Sequence, residues 1–245
     1  MGKEVMRMKA QKRFIMRLLT ASAVYAVLTP FVFLWTNDFT YMYFGWNILL
    51  SAIPLLLSGW FARKPPKRIA GTILLFGFWL LFLPNALYFV TDLIYVADHV
   101  FAVDCGPYCP TVYLDGFRDW LALVDILIGV ILSLAMGTFS IALMKRTLKT
   151  SVKAWILEGG TVLVSLLCGL GVYIGRFLRY NSWNLFSLPA LLRDLSEAAS
   201  WDMLGFVLLI SGLQYLLLVL FVPLIDPPLA PNTALETGTD RTPAA

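Results

Sequence analysis

Long apolar runs separated by short polar segments dominate the chain. About 20 apolar residues are needed to cross a hydrocarbon core about 30 Å thick, because each helical residue adds about 1.5 Å. Five runs meet this length, and a sixth does so if Pro84 kinks its helix instead of ending it. The pattern predicts an all-α, polytopic membrane helix bundle with about six spans, at residues 14–35, 44–62, 69–90, 119–144, 154–175 and 202–222.

The third run ends in a motif that combines a helix breaker, an amide and a carboxylate. If Pro84 ended the helix, only 15 residues would remain, about 22 Å at the helical rise, which is too short to cross a membrane. We therefore expect the helix to continue through a kink. Asn85, Tyr88 and Asp92, spaced i, i+3 and i+7, then share one helix face.

The remaining segments complete the predicted organisation. Residues 1–13 form a basic cytoplasmic N-terminus, residues 14–223 a single transmembrane domain, and residues 224–245 a disordered cytoplasmic tail rich in Pro, Thr and Ala. Between Ser187 and Ser200, leucines at helical spacing lie opposite charged residues, and Pro189 suits a first helical turn. This segment is predicted to be a short helix lying in the membrane interface.

Composition and charge agree with a membrane protein. Of 245 residues, 59% are hydrophobic and 14% are charged, which excludes an ordinary soluble domain. The net charge of +4 does not indicate a nucleic-acid binder, because the basic residues lie between the apolar runs. Fifteen of the nineteen Lys and Arg residues fall on the side of the termini. The positive-inside rule therefore predicts a multi-pass plasma-membrane protein with both termini in the cytoplasm.

Three cysteines and one histidine are too few for a metal cage or a disulfide framework, and no cofactor or metal is predicted. Cys105 and Cys109 lie in a tight loop on the oxidising side, so a disulfide is the leading interpretation. A redox motif, or a metal site that includes His99, is less favoured. Cys168 is expected to be a packing residue. Because Arg17 interrupts the first apolar run, we expect an uncleaved span and not a signal peptide.

Polar side chains enter the membrane from three spans. Counted from the outer border, Asn47, Asn85 and Asp125 lie at a similar depth, about 9 to 10 Å inside. A carboxylate at that depth costs several kcal/mol unless it is paired, so Asp125 should face other helices or water. The alternative interpretation is that these groups only hold helices together.

Two arginines follow the fifth span on the side that disfavours positive charge. Arg176 and Arg179, at spacing i, i+3, are candidates to bind an anionic group such as a lipid phosphate, with Asp92 or Asp119 as base or counter-ion. Snorkelling arginines within an aromatic belt are the alternative. Small residues at 129, 133 and 137, and at 171 and 175, predict close packing of the fourth and fifth spans, which would bring Asp119 and Asp125 toward Arg176.

Three motifs together resemble a known family. They are Gly45-Trp46-Asn47 with Pro54, Leu83-Pro84-Asn85-Ala86-Leu87-Tyr88 with Thr91-Asp92, and the stretch from Gly175 to Trp183. They are similar to the bacterial membrane family called domain of unknown function 1361, over roughly residues 40–220. The resemblance implies an all-helical, polytopic protein and implies no established activity. Asn184 departs from the Asp expected there, which argues against a catalytic role for that position.

We expect a polar pocket open to the outer leaflet, and three functions are compatible with it. The first is binding or transport of an anionic or lipid-linked ligand. The second is an enzyme acting on a lipid-linked phosphate headgroup, with Asp92 or Asp119 as catalytic candidates. The third is an accessory subunit that packs against another membrane protein. The predicted ligand-binding residues are Asn47, Asn85, Tyr88, Asp92, Asp125, Arg176, Arg179, Asn181 and Trp183.

Overall fold

The computed structural model describes residues 2–66, 68–104, 110–149, 151–180 and 188–225. Within these residues, six helical segments are long and apolar enough to cross a membrane. They are Gln11–Thr36, Thr40–Arg63, Ile69–Asp98, Phe117–Leu148, Ala154–Arg176 and Trp201–Val222. The predicted fold class, an all-α polytopic membrane bundle, is confirmed.

The elements follow the chain in a simple order. The α-helices are α1 (Gly2–Thr36), α2 (Thr40–Arg63), α3 (Ile69–Phe82), α4 (Asn85–Thr91), α5 (Phe117–Leu148), α6 (Ala154–Arg176), α7 (Leu188–Glu197) and α8 (Trp201–Ile225). A 3₁₀ helix at Asp92–Asp98 follows α4, and we call the segment from α3 to its end the third span. Two short antiparallel strands, β1 (Ala102–Val103) and β2 (Val112–Tyr113), pair in the loop between the third span and α5. The helix predicted near Pro189 is α7.

Two helical segments extend beyond the predicted spans. Helix α1 begins at Gly2 and runs through the basic segment without a break, because that segment is rich in Lys, Arg and Met, which favour helix. The third span was predicted to end at residue 90 but continues as a 3₁₀ helix to Asp98. The predicted tail, apart from its first two residues, and both loop cysteines, Cys105 and Cys109, lie outside the described residues.

The third span continues through Pro84 as predicted. Leu83 and Pro84 keep right-handed helical dihedrals, with φ/ψ of −59°/−38° and −57°/−28°. Past the proline, the Ala86 N–H donates to the carbonyl of Leu83 (3.1 Å), one residue closer than in a regular α-helix. The Asn85 side-chain amide then donates to the carbonyl of Phe82 (3.0 Å). Asn85 therefore helps to satisfy the backbone hydrogen-bonding groups at the break, for which hydrocarbon offers no partner.

Hydrogen bonds between serine hydroxyl groups connect α2 to α5. Ser51 Oγ lies 2.9 Å from Ser133 Oγ, and Ser140 Oγ donates to Ser58 Oγ (3.3 Å). The serines of each helix are seven residues apart, so they share one helix face. Trp79 of the third span donates its indole N–H to Ser140 (2.8 Å). Because lipid tails do not drive apolar helices together, such polar contacts help to select the packing partners in a membrane.

The small residues of α5 face the third span. A side chain at Gly129 would meet the ring of Phe89, and one at Gly137 would meet the methyl group of Ala86. Ser133, between the two glycines, donates its hydroxyl to the carbonyl of Ala86 (2.7 Å). This stripe therefore allows α4 to approach the backbone of α5.

The small residues of α6 also face the third span. A side chain at Gly171 would meet the ring of Pro84, and one at Gly175 would touch Tyr88. The expected packing of the α5 stripe on the α6 stripe therefore does not occur. Sequence spacing identified both stripes as packing surfaces, but each stripe contacts the third span.

We predict that Gly171→Ala destabilises the protein by about 1–3 kcal/mol, because the added methyl group presses on the Pro84 ring. Gly160→Ala is the matched control, since it lies in the same helix with open space around it and should change stability by less than about 1 kcal/mol. The free energy of unfolding in mild detergent micelles measures both. Equal effects would contradict the close approach of α6 to Pro84.

Candidate functional site

A groove of about 1040 Å³ opens along the third span, between the N-terminal half of α2 and the C-terminal half of α6. Apolar side chains line most of its length, among them Leu50, Ile73, Leu74, Phe78, Leu167 and Leu170. Polar side chains gather at one end, namely Asn47, Asn85, Tyr88, Asp92, Arg176 and Tyr180. The groove therefore has one long apolar part and one polar end.

The polar end of the groove contains a buried ion pair. Asp92 is 1% exposed, and each of its carboxylate oxygens accepts a hydrogen bond from a different helix. Oδ1 accepts from Arg176 Nη1 (3.1 Å) and Oδ2 from Asn47 Nδ2 (2.9 Å). Arg176 Nη2 also donates to the backbone carbonyl of Thr91 (3.1 Å). The third span, α2 and α6 thus meet at one carboxylate, which satisfies a charge that would otherwise be costly to bury.

Two tyrosine rings surround the arginine of this pair. The guanidinium carbon of Arg176 lies 5.6 Å from the ring centre of Tyr88 and 5.3 Å from that of Tyr95, within range of a cation–π interaction. Tyr88 was a predicted site residue, and Tyr95 was not. Tyr95 is not among the predicted residues because the third span is expected to end at residue 90. The position of Tyr95, three residues after Asp92 and seven after Tyr88, is the signal in the sequence that points to it.

Arg179 does not share a helix face with Arg176. Helix α6 ends at Arg176, and Arg179 adopts a left-handed conformation with φ 58°. The Tyr180 N–H donates to the carbonyl of Ile174 (3.3 Å). A left-handed residue just past a helix end is common, although it is usually glycine. Arg179 is exposed and does not line the groove. The helical spacing assumed for the two arginines therefore does not hold.

Two predicted carboxylates have partners elsewhere. Asp125 Oδ2 accepts a hydrogen bond from the hydroxyl of Tyr25 (3.0 Å), a contact between α5 and α1. Asp119 Oδ1 lies 2.8 Å from Nδ1 of His99. Neither carboxylate lines the groove or contacts Arg176 in the described part of the chain. The approach of Asp119 and Asp125 to Arg176 expected from the small-residue stripes does not occur, because both stripes pack on the third span.

Asn181 and Trp183, also predicted as site residues, lie outside the described residues. The segment before them is connected to helix α7 by a hydrogen bond. Tyr180 donates its hydroxyl to Asp194 Oδ2 (2.9 Å), and this bond raises the pKa of Tyr180 above its ordinary value. Leu191, one turn earlier on α7, lines the groove. Helix α7 therefore contributes to the polar end of the groove.

The comparison with known families agrees with the motifs. A family model described as a protein of unknown function, DUF1361, matches residues 46–217. The chain belongs to this family. No curated protein and no solved structure matches it. The range matched by the DUF1361 model includes Asn47, Asp92 and Arg176, so the three residues of the ion-pair cluster lie within the part of the chain that defines membership.

We predict that Asp92→Asn lowers the free energy of unfolding by about 3–5 kcal/mol, because it leaves Arg176 half-buried without a counter-ion. Combining it with Arg176→Gln should cost less than the sum of the two single changes. Asp119→Asn is the matched control at a more exposed hydrogen-bonded carboxylate, expected to cost less than about 1 kcal/mol. Additive effects of Asp92→Asn and Arg176→Gln would contradict the pairing.

Proposed function

We propose that this DUF1361 protein binds one membrane amphiphile in the groove, with its hydrocarbon part along the third span and its polar end beside Asn47, Asp92 and Arg176. The observation that supports this most is the continuity of the two parts, because one polar cluster ends one apolar groove. The volume of about 1040 Å³ is at the upper limit of typical small-molecule sites, about 300–1,000 Å³.

The length and the exposure of the groove favour a lipid over a compact ligand. Its lining on the third span extends from Ile73 to Tyr95, whereas α2 lines it only at residues 43–50 and α6 only at 167–176. The face on the third span alone measures about 33 Å at the helical rise, close to the thickness of the hydrocarbon core, so an acyl chain can lie along it. Ile73 is 65% exposed and Phe78 is 57% exposed, so the apolar part opens sideways toward the bilayer. A ligand can therefore enter from the membrane.

The proposed ligand-contacting residues at the polar end are Asn47, Asn85, Tyr88, Asp92 and Arg176. Asn181 and Trp183 stay proposals from sequence alone. The groove lining does not support a place for Asp125 or Arg179 in the site. Catalysis by Asp92 as a general base is less well supported than binding, because both of its oxygens already accept hydrogen bonds from Arg176 and Asn47.

The proposed location is the plasma membrane, with both termini in the cytoplasm. The support is the charge distribution, since Lys and Arg concentrate on the side of the termini. The polar end of the groove then lies in the outer leaflet.

We predict that Gly77→Phe abolishes binding of the amphiphile. Gly77 lines the groove, and a side chain there has open space in the protein, so the phenyl ring should fill the groove without disturbing the fold. Gly212→Phe in α8 is the matched control, with equally open surroundings away from the groove. Native mass spectrometry after extraction in mild detergent should show one retained amphiphile for the parent and Gly212→Phe, and none for Gly77→Phe. Equal retention in all three would overturn the proposal.

We predict that a membrane-impermeant maleimide labels Tyr113→Cys in intact cells, whereas Lys64→Cys is labelled only after permeabilisation. Both positions are exposed, and they lie at opposite ends of the spans. The parent protein, which carries its own cysteines, supplies the background. The reverse labelling pattern would invert the proposed topology.

A further inference from the structure

The polar end of the groove carries no net charge. Of the described residues that line it, only Asp92 and Arg176 have charged side chains, and they bond to each other. A headgroup with a net charge would therefore enter without a counter-ion.

Arg176 uses two of its five N–H donors within the protein. Nη1 donates to Asp92 and Nη2 to the carbonyl of Thr91, while Tyr88 and Tyr95 lie beside the guanidinium. Clamping a phosphate or carboxylate usually relies on a paired fork of guanidinium donors. In this protein, both Nη atoms of Arg176 donate to oxygens of the protein itself.

Acceptors remain beside the pair. Asn47 donates its amide N–H to Asp92, and its carbonyl oxygen has no partner among the described residues. The hydroxyls of Tyr43 and Tyr95, which line the same end, can donate or accept. An ionised phosphate brings only acceptors to this surface. A hydroxyl group brings a donor that the surface can bind.

The headgroup must supply the selectivity. Lipid tails are as apolar as the groove, so transferring a chain from bilayer to groove changes the free energy of the apolar surface little. Polar contacts at the outer end therefore decide which lipid stays bound.

We propose, building on the function proposed above, that the groove selects lipids with an uncharged, hydroxyl-rich headgroup, of the glycosyl class, over anionic and zwitterionic phospholipids. The rings of Tyr43 and Trp46 line the same end and offer aromatic faces, which carry partial negative charge and suit the polarised C–H groups of a sugar ring.

The test compares four lipids with the same acyl chains: monoglucosyl diacylglycerol, phosphatidylglycerol, phosphatidylethanolamine and diacylglycerol. The parent protein is exchanged into an oligoethylene-glycol detergent, which carries no sugar, and retained lipids are counted by native mass spectrometry. We expect the glucosyl lipid to be retained about tenfold better than each of the others, as a difference of one to two good hydrogen bonds would give.

A double variant tests whether hydroxyl recognition is the cause. Tyr43→Phe with Tyr95→Phe removes two hydroxyls and keeps both rings, so glucosyl-lipid retention should fall about 2- to 10-fold while diacylglycerol retention stays constant. Tyr215→Phe in α8, away from the groove, is the control and should change neither.

The outcomes separate this inference from the groove proposal. Equal retention of all four lipids, preference for a phospholipid, or a double variant that behaves like the parent would overturn the headgroup inference. If Gly77→Phe still abolishes lipid retention in any of these cases, the groove proposal stands. Retention of none of the four lipids, or retention unaffected by Gly77→Phe, would overturn both.

Discussion

The hydrogen-bonded pair between Asp92 and Arg176 is the contact on which the end of the bundle opposite the N-terminus depends. A carboxylate that is 1% exposed requires a partner, and the two oxygens of Asp92 take theirs from α6 and α2. The third span is therefore held at a defined level between two helices. Because the same carboxylate lies at the end of the groove, the contact that fixes the walls also sets the polarity of the site.

The third span depends on a second constraint, which is that every backbone group in hydrocarbon needs a partner within the protein. Pro84 breaks the regular pattern, and the Asn85 amide and the shortened bond from Ala86 restore it. Gly137 of α5 and Gly171 of α6 leave room for the kinked segment. The motif from Pro84 to Asp92 therefore serves packing and groove lining at once, so its residues alone do not distinguish the two roles.

Sequence reasoning recovered the spans and the central motif, because both follow from local rules. Six apolar runs and the proline kink need only hydropathy, length and helical rise. These local rules do not determine which residues pair with the polar side chains. Helical periodicity gives the face and depth of Asp125, but which neighbour that face meets depends on helix rotation in the bundle, and the neighbour is Tyr25. Arg179 was misplaced because no glycine or proline follows Arg176 in residues 177–180 to indicate that α6 ends there.

The ion pair also bears on the proposed ligand. Asp92 and Arg176 bond to each other, so the described residues that line the groove offer no unpaired charge. A charged headgroup that separated the two would leave one of them buried without its partner, and removing one partner of a buried pair costs about 3–5 kcal/mol. An uncharged headgroup leaves the pair intact. If the groove binds a lipid as proposed, the contact that stabilises the bundle would also disfavour charged headgroups, so altering either residue would change both properties.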